Sequence, residues 1–128
     1  MLELARTHAL ERVQFGRPIA SFQAIRHRLA ESLVALEAAD ALLDAVWQDS
    51  SPVAAAMAKA LAGRSTRAVA RHSQQVLAGI GFTTEHPLHR SVRRTIVLDQ
   101  LLGSGGTLTR TLGAEILSSA TLPTAFPL

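Results

Sequence analysis

The sequence predicts an all-α fold, an antiparallel four-helix bundle with one further helix ahead of it. Three observations carry this expectation. Ala, Leu and Arg dominate, and no stretch alternates apolar and polar residues long enough to argue for a sheet. Apolar residues recur at three- and four-residue steps over long windows. Helix-breaking residues cluster at a few places: Gly16-Arg17-Pro18, Ser50-Ser51-Pro52, Gly79-Ile80-Gly81, His86-Pro87 and Gly103-Ser104-Gly105-Gly106.

Those breaks leave helices near 1–14, 21–48, 52–78, 88–102 and 107–119. In the second, Phe22, Ile25, Leu29, Leu33, Leu36, Leu43 and Trp47 form an apolar stripe, while Arg26, Glu31, Glu37, Asp40 and Asp44 avoid it. The third is alanine-rich, with Met57, Leu61, Val69, Val76 and Leu77 on one side, and its small residues let neighbouring helices come close. At ~1.5 Å per residue the two long helices each run roughly 40 Å, lengths that suit a bundle. The expected organisation is one domain over 1–120 and a frayed tail over 121–128, which carries two prolines. The first helix starts at Met1 without a cap, an expectation of preceding structure in a longer protein.

Composition excludes several functions. Hydrophobic residues make up 48% and charged residues 18%, enough apolar material for a core and too little charge for a disordered chain. With no cysteine there is no disulfide, thiolate metal site or cysteine nucleophile. The net charge of +3 is mild. No apolar run approaches the ~20 residues that span a bilayer and no signal peptide opens the chain, so a soluble, cytoplasmic protein without membrane partners is expected.

Chemistry-bearing patterns are sparse. No Glu is followed three residues later by His, as a di-iron bundle requires, and Glu85 and His89 straddle Pro87. No metal site is expected. A Gly-x-Ser-x-Gly elbow is absent, and His72-Ser73 alone makes no nucleophile. Arg64, Arg67 and Arg71 form one basic stripe; His86, His89, Arg90, Arg93 and Arg94 form another cluster. Small net charge and no interleaved aromatic residues favour solvated or ion-paired faces over nucleic-acid binding. The glycines at 79–81 and 103–106 end and open helices, where backbone groups can approach an anion.

Taken together, three segments resemble the C-terminal helical domain of the acyl-CoA dehydrogenase family. Ala9 to Gln23 (ALERVQFGRPIASFQ) looks like the family's Arg-x-x-Phe-Gly-x-x-(Ile/Leu) run with a following Phe-Gln pair. Ala55-Ala-Met-Ala-Lys59 matches the lysine-bearing start of its third helix. Gln75 to Arg90 (QVLAGIGFTTEHPLHR) looks like the Gln-x-x-Gly-Gly-x-Gly-aromatic signature.

The resemblance implies a flavoprotein oxidoreductase of fatty-acid β-oxidation type, with FAD held between this domain and a β domain. It implies that the adenosine diphosphate portion of FAD is contacted by a neighbouring subunit. Arg12 and Gln14 would then approach the pyrophosphate, and Phe15 would pack on the cofactor. Phe22 and Gln23 would line the adenine side, and Gln75, Val76, Ala78 and Gly79 would face the ADP. A guanidinium suits phosphate geometry, and glycine permits close backbone approach.

The departures carry information as well. Counting back from Arg110, the family's usual catalytic glutamate position falls on Gly103, with Leu102 at the preceding tyrosine, so no catalytic residue is assigned. A minority of members place the base on the preceding helix, so either it is supplied upstream or this is a non-catalytic subunit. Ala78 replaces the first glycine of the signature, and Arg94 stands where aspartate is usual, which removes an expected intrachain Arg–Asp pair. The segment Leu101 to Arg110 resembles members that form mixed assemblies in which one subunit type lacks the base. The expectation is a C-terminal domain that is not catalytic alone, works as a homo-oligomer or beside a partner acyl-CoA dehydrogenase subunit, and meets acyl-CoA only in the intact assembly. The alternative is a helical interaction module that binds no flavin.

Overall fold

The computed structural model describes residues 1–48 and 51–121. Five helices follow one another: α1 (Leu2–Glu11), α2 (Gln23–Gln48), α3 (Pro52–Leu77), α4 (Leu88–Gln100) and α5 (Gly105–Ser119). The all-α architecture read from the sequence is the one observed. The expected tail beyond Thr121, and Ser50 of the proposed capping segment, lie outside the described residues.

Helix starts follow local chemistry. Ser51 caps α3 by accepting from the Ala54 N–H (3.1 Å), with Pro52 in the first turn where its missing N–H costs nothing. Ser104 does the same for α5, accepting from the Thr107 N–H (3.2 Å), which starts that helix at Gly105 rather than at 107.

The largest departure lies after α1. Instead of running to 14, α1 ends at Glu11, and a two-residue ladder follows, β1 (Val13–Gln14) antiparallel to β2 (Arg17–Pro18). Phe15 (φ 53°) and Gly16 (φ 77°) form the turn with positive φ at both central positions, the geometry that matches the strand twist of a tight hairpin. The Ile19 N–H donates to the Arg12 carbonyl (2.8 Å) and closes the hairpin base.

Helix α3 is the central element and packs against each of the other four. Ala54, Ala58, Ala60, Gly63, Ser65 and Ala70 are buried along it, so small side chains permit that close packing. The stripe on α2 needs a correction. Leu33, Leu43 and Trp47 are exposed, Trp47 by 84%, whereas Ser32 and Ala39 are buried. The true inward face runs Ile25, Leu29, Ser32, Leu36, Ala39, because 3.6-residue periodicity drifts off a stripe extended only by its largest residues. Buried Ser32 joins α2 to α3: its hydroxyl donates to the Arg28 carbonyl (2.7 Å) and lies 3.1 Å from His72 Nδ1.

The main apolar core gathers Ala5 and Ala9 of α1, Val76 and Leu77 of α3 and Leu88 of α4, with Ile25 and Leu29 of α2 packed against it. It lies at the C-terminal end of α3, directly beneath the site described next.

Candidate functional site: a cleft at the C-terminal end of the central helix

The hairpin, the start of α2 and the end of α3 enclose a cleft of about 710 Å³. Arg12, Gln14, Phe15, Phe22, Gln75, Val76, Ala78 and Gly79 all line it, although they come from two distant stretches of sequence. Gln23 is the exception: it is absent from the lining, and its amide lies 3.4 Å from His27 Nε2 on the surface of α2.

Each wall has a local cause. The hairpin projects Phe15 outward at 90% exposure, which excludes a core-packing role for it. Phe15 meets the half-buried Phe22 edge-on, with centroids 6.0 Å apart, and the Arg17 guanidinium lies 4.4 Å from the Phe22 centroid on the ring face. Val76 and Leu77 belong to the core, so the floor is rigid while the rim is open. Beyond them Ala78 turns the chain with φ 53° and ψ −135°, a conformation that favours glycine. A Cβ built on Gly79 meets nothing within 4 Å, so packing inside this chain does not require a glycine there.

The polar groups of the cleft are largely free. Among the described residues the Arg12 guanidinium and the Gln75 amide have no partner within the chain, and Gln14 donates only to the adjacent Val13 carbonyl (2.8 Å). The Ala78 N–H is engaged, donating to the Gln75 carbonyl, so the polar capacity of this wall rests mainly on the Gln75 side chain. His8 also lines the cleft, one helical turn before Arg12, a spacing that was readable in the sequence but not singled out.

The arginine stripe of α3 resolves differently. Arg67 Nη1 donates to Asp99 Oδ2 (2.6 Å), and Asp99 Oδ1 accepts from the Gly105 N–H (3.1 Å). Lys59 Nζ donates to the carbonyls of Leu98 (3.2 Å) and Asp99 (3.0 Å), closing the end of α4. The intrachain Arg–Asp pair missed at Arg94 is therefore present as Arg67–Asp99. Sequence reasoning overlooked Asp99, although it is the lone acid of an otherwise basic helix that faces an arginine stripe.

Arg94 lines a second, mainly apolar cleft of about 560 Å³ with Ala62, Leu98, Leu101 and Leu102. Leu102 (φ 58°, 94% exposed) and Gly103 (φ 97°) form the adjacent turn. No group of three or more potential metal ligands occurs among the described residues, and no described helix is long and apolar enough to cross a membrane.

The molecule is a helical bundle whose open, aromatic-rimmed cleft bears a free guanidinium. Comparison with known proteins narrows that description. Residues 1–117 match the family model for the acyl-CoA dehydrogenase C-terminal domain. The chain is 37% identical over 118 residues to the acyl-CoA dehydrogenase IpdE2 of Mycobacterium tuberculosis, a match covering 92% of this chain and 37% of IpdE2. Its fold superposes on the ChsE4–ChsE5 complex of the same organism with a TM-score of 0.82 and 31% identity, covering 95% of this chain and 34% of that one. Butyryl-CoA dehydrogenase from Megasphaera elsdenii gives 0.79 and 30%, covering 91% and 32%. The chain belongs to the acyl-CoA dehydrogenase family and corresponds to its C-terminal domain. It spans about a third of the length of these relatives.

Proposed function

We propose that this chain supplies the ADP-facing helical wall of a flavin site in an acyl-CoA dehydrogenase-type assembly. The observation that carries the reading is the convergence of Arg12 and Gln75, with no partners of their own, on one cleft with an exposed aromatic rim. The donor set suits FAD: a guanidinium for the pyrophosphate, amides of Gln14 and Gln75 for phosphate, ribose or adenine edges, and Phe15 for an apolar ring face. Gly79 adds open space for close backbone approach. FAD, when bound, supplies the hydride acceptor for α,β-dehydrogenation of an acyl-CoA thioester. This chain's residues bind and orient; the family's usual base position falls on Gly103, and a glycine accepts no proton.

The assembly is a homo-oligomer or a pairing with a second acyl-CoA dehydrogenase subunit. The ChsE4–ChsE5 complex is a two-component precedent among the structural relatives. Exposed Leu33, Val34, Trp47, Ile96, Val97 and Leu117 give apolar surface for such contacts. A solution mass above that of the monomer is expected, and a concentration-independent monomer contradicts it.

FAD fluorescence titrated with the purified chain tests the cleft. Saturable quenching that weakens at least tenfold in Arg12→Ala, with unchanged helicity, is expected from losing a charge-assisted hydrogen bond worth ~1.5–3 kcal/mol. Equal binding by both proteins removes Arg12 from the site. Absence of flavin binding by the chain, alone and with a β-domain-bearing subunit, leaves an interaction module without flavin.

A further inference from the structure

His8 stands out because it lies outside the motif that the family resemblance rests on, yet it shares a wall with Arg12. It is half-buried and lines the same cleft as Arg12, Gln14 and Gln75. The Arg12 backbone N–H donates to the His8 carbonyl (2.9 Å), which fixes one residue against the other across the end of α1. Among the described residues the charged or titratable groups acting on it are Arg12 just past the end of α1, His86 in the segment before α4, and Glu11 on α1. His86 Nδ1 accepts from the Leu88 N–H (3.2 Å).

Burial, then Arg12 and His86, hold the His8 imidazole below its usual pKa, with Glu11 opposing weakly. Without an anion in the cleft, these surroundings favour the neutral imidazole of His8. A pyrophosphate set against Arg12 reverses the local balance, because two negative charges then outweigh the guanidinium that repels a proton from His8.

We propose that His8 is a further anion-binding residue of this cleft, and that a nucleoside diphosphate group seats there with uptake of one proton by the imidazole. The inference rests on the reading of the cleft as an ADP-facing wall and adds to it a residue and a pH dependence. The proton comes from solvent and moves onto the free ring nitrogen; no covalent bond to the ligand forms.

ADP-ribose is a suitable probe, since its pyrophosphate does not titrate between pH 5 and 9. Its binding to the full chain is measured by calorimetry from pH 5.5 to 8.5, in two buffers of different ionisation enthalpy, for wild type, His8→Gln and Arg12→Ala. The expected result is affinity rising about tenfold from pH 8.5 to 5.5, equivalent to one unit of pKa displacement on binding. Net proton uptake is expected in wild type, and both the slope and the uptake disappear in His8→Gln, which still binds at pH 8.5. A flat profile in wild type, or an unchanged slope in His8→Gln, overturns the role of His8 while leaving the cleft reading intact. Binding indifferent to Arg12→Ala, or absent at every pH, overturns both.

Discussion

At the C-terminal end of α3 the Arg12 guanidinium and the Gln75 amide lack partners among the described residues, whereas midway along the same helix Arg67, Asp99, Lys59 and the Gly105 amide satisfy one another. Both regions hold arginine beside glycine, so composition does not separate them. What separates them is hydrogen-bond accounting. A buried carboxylate costs several kcal/mol unless paired, so Asp99 is matched on both oxygens and belongs to the architecture. The Arg12 guanidinium stays in solvent at little cost, with no partner among the described residues.

Breaking the paired region has the largest expected effect. Asp99→Ala removes the acceptor of both Arg67 and the Gly105 N–H, and about 3 kcal/mol of stability is expected to be lost in urea unfolding. Gly63→Ala comes next, because a Cβ there falls on Asp99 Oδ1 and sits against the Gly105 backbone; a loss of about 2 kcal/mol is expected. By contrast, Arg12→Ala in the open cleft is expected to change stability by less than about 0.5 kcal/mol. Equal losses for Asp99→Ala and Arg12→Ala end the distinction between the two regions.

Two smaller effects sharpen the comparison within the cleft. Ala78 holds φ 53° and ψ −135°, so Ala78→Gly relieves backbone strain and is expected to stabilise by about 1 kcal/mol, raising Tm by a few degrees. Gly usually destabilises a folded chain, which makes the sign of this change diagnostic. The smallest effect concerns His8. Its pKa is lowered in the folded state, so the unfolded chain binds the proton more readily. Stability from this group is therefore complete above pH ~6.5 and falls as pH drops through that value towards the lower folded pKa. His8→Gln is expected to flatten that part of the stability profile by a few tenths of a kcal/mol, because the group is only half-buried.

Much of the helical frame was legible in the sequence because its signals are local. Ser51-Pro52 and the Gly103–Gly106 run each mark a boundary with backbone chemistry that acts within one turn. The hairpin at 13–18 was not legible, since two residues per strand are too few for an alternating pattern to register. The inward face of α2 was misjudged where Ser32 and Ala39, rather than larger neighbours, are buried. Asp99 had one local signal, as the lone acid of α4, but its partners Arg67 and Gly105 are set by tertiary packing. The cleft itself came from the resemblance: nothing local in Arg12 or Gln75 says that α1 and α3 bring them together. His8 followed only once α1 had a defined face.

The central claim, that the chain's ligand lies at the C-terminal end of α3, is tested most directly by mapping FAD onto it residue by residue. Titration of FAD into the isotopically labelled chain, followed by amide chemical shifts, is predicted to perturb residues 8–25 and 75–80 and to leave the α4–α5 turn at 98–105 unmoved. Shifts concentrated at that turn, or scattered without saturation, contradict the account.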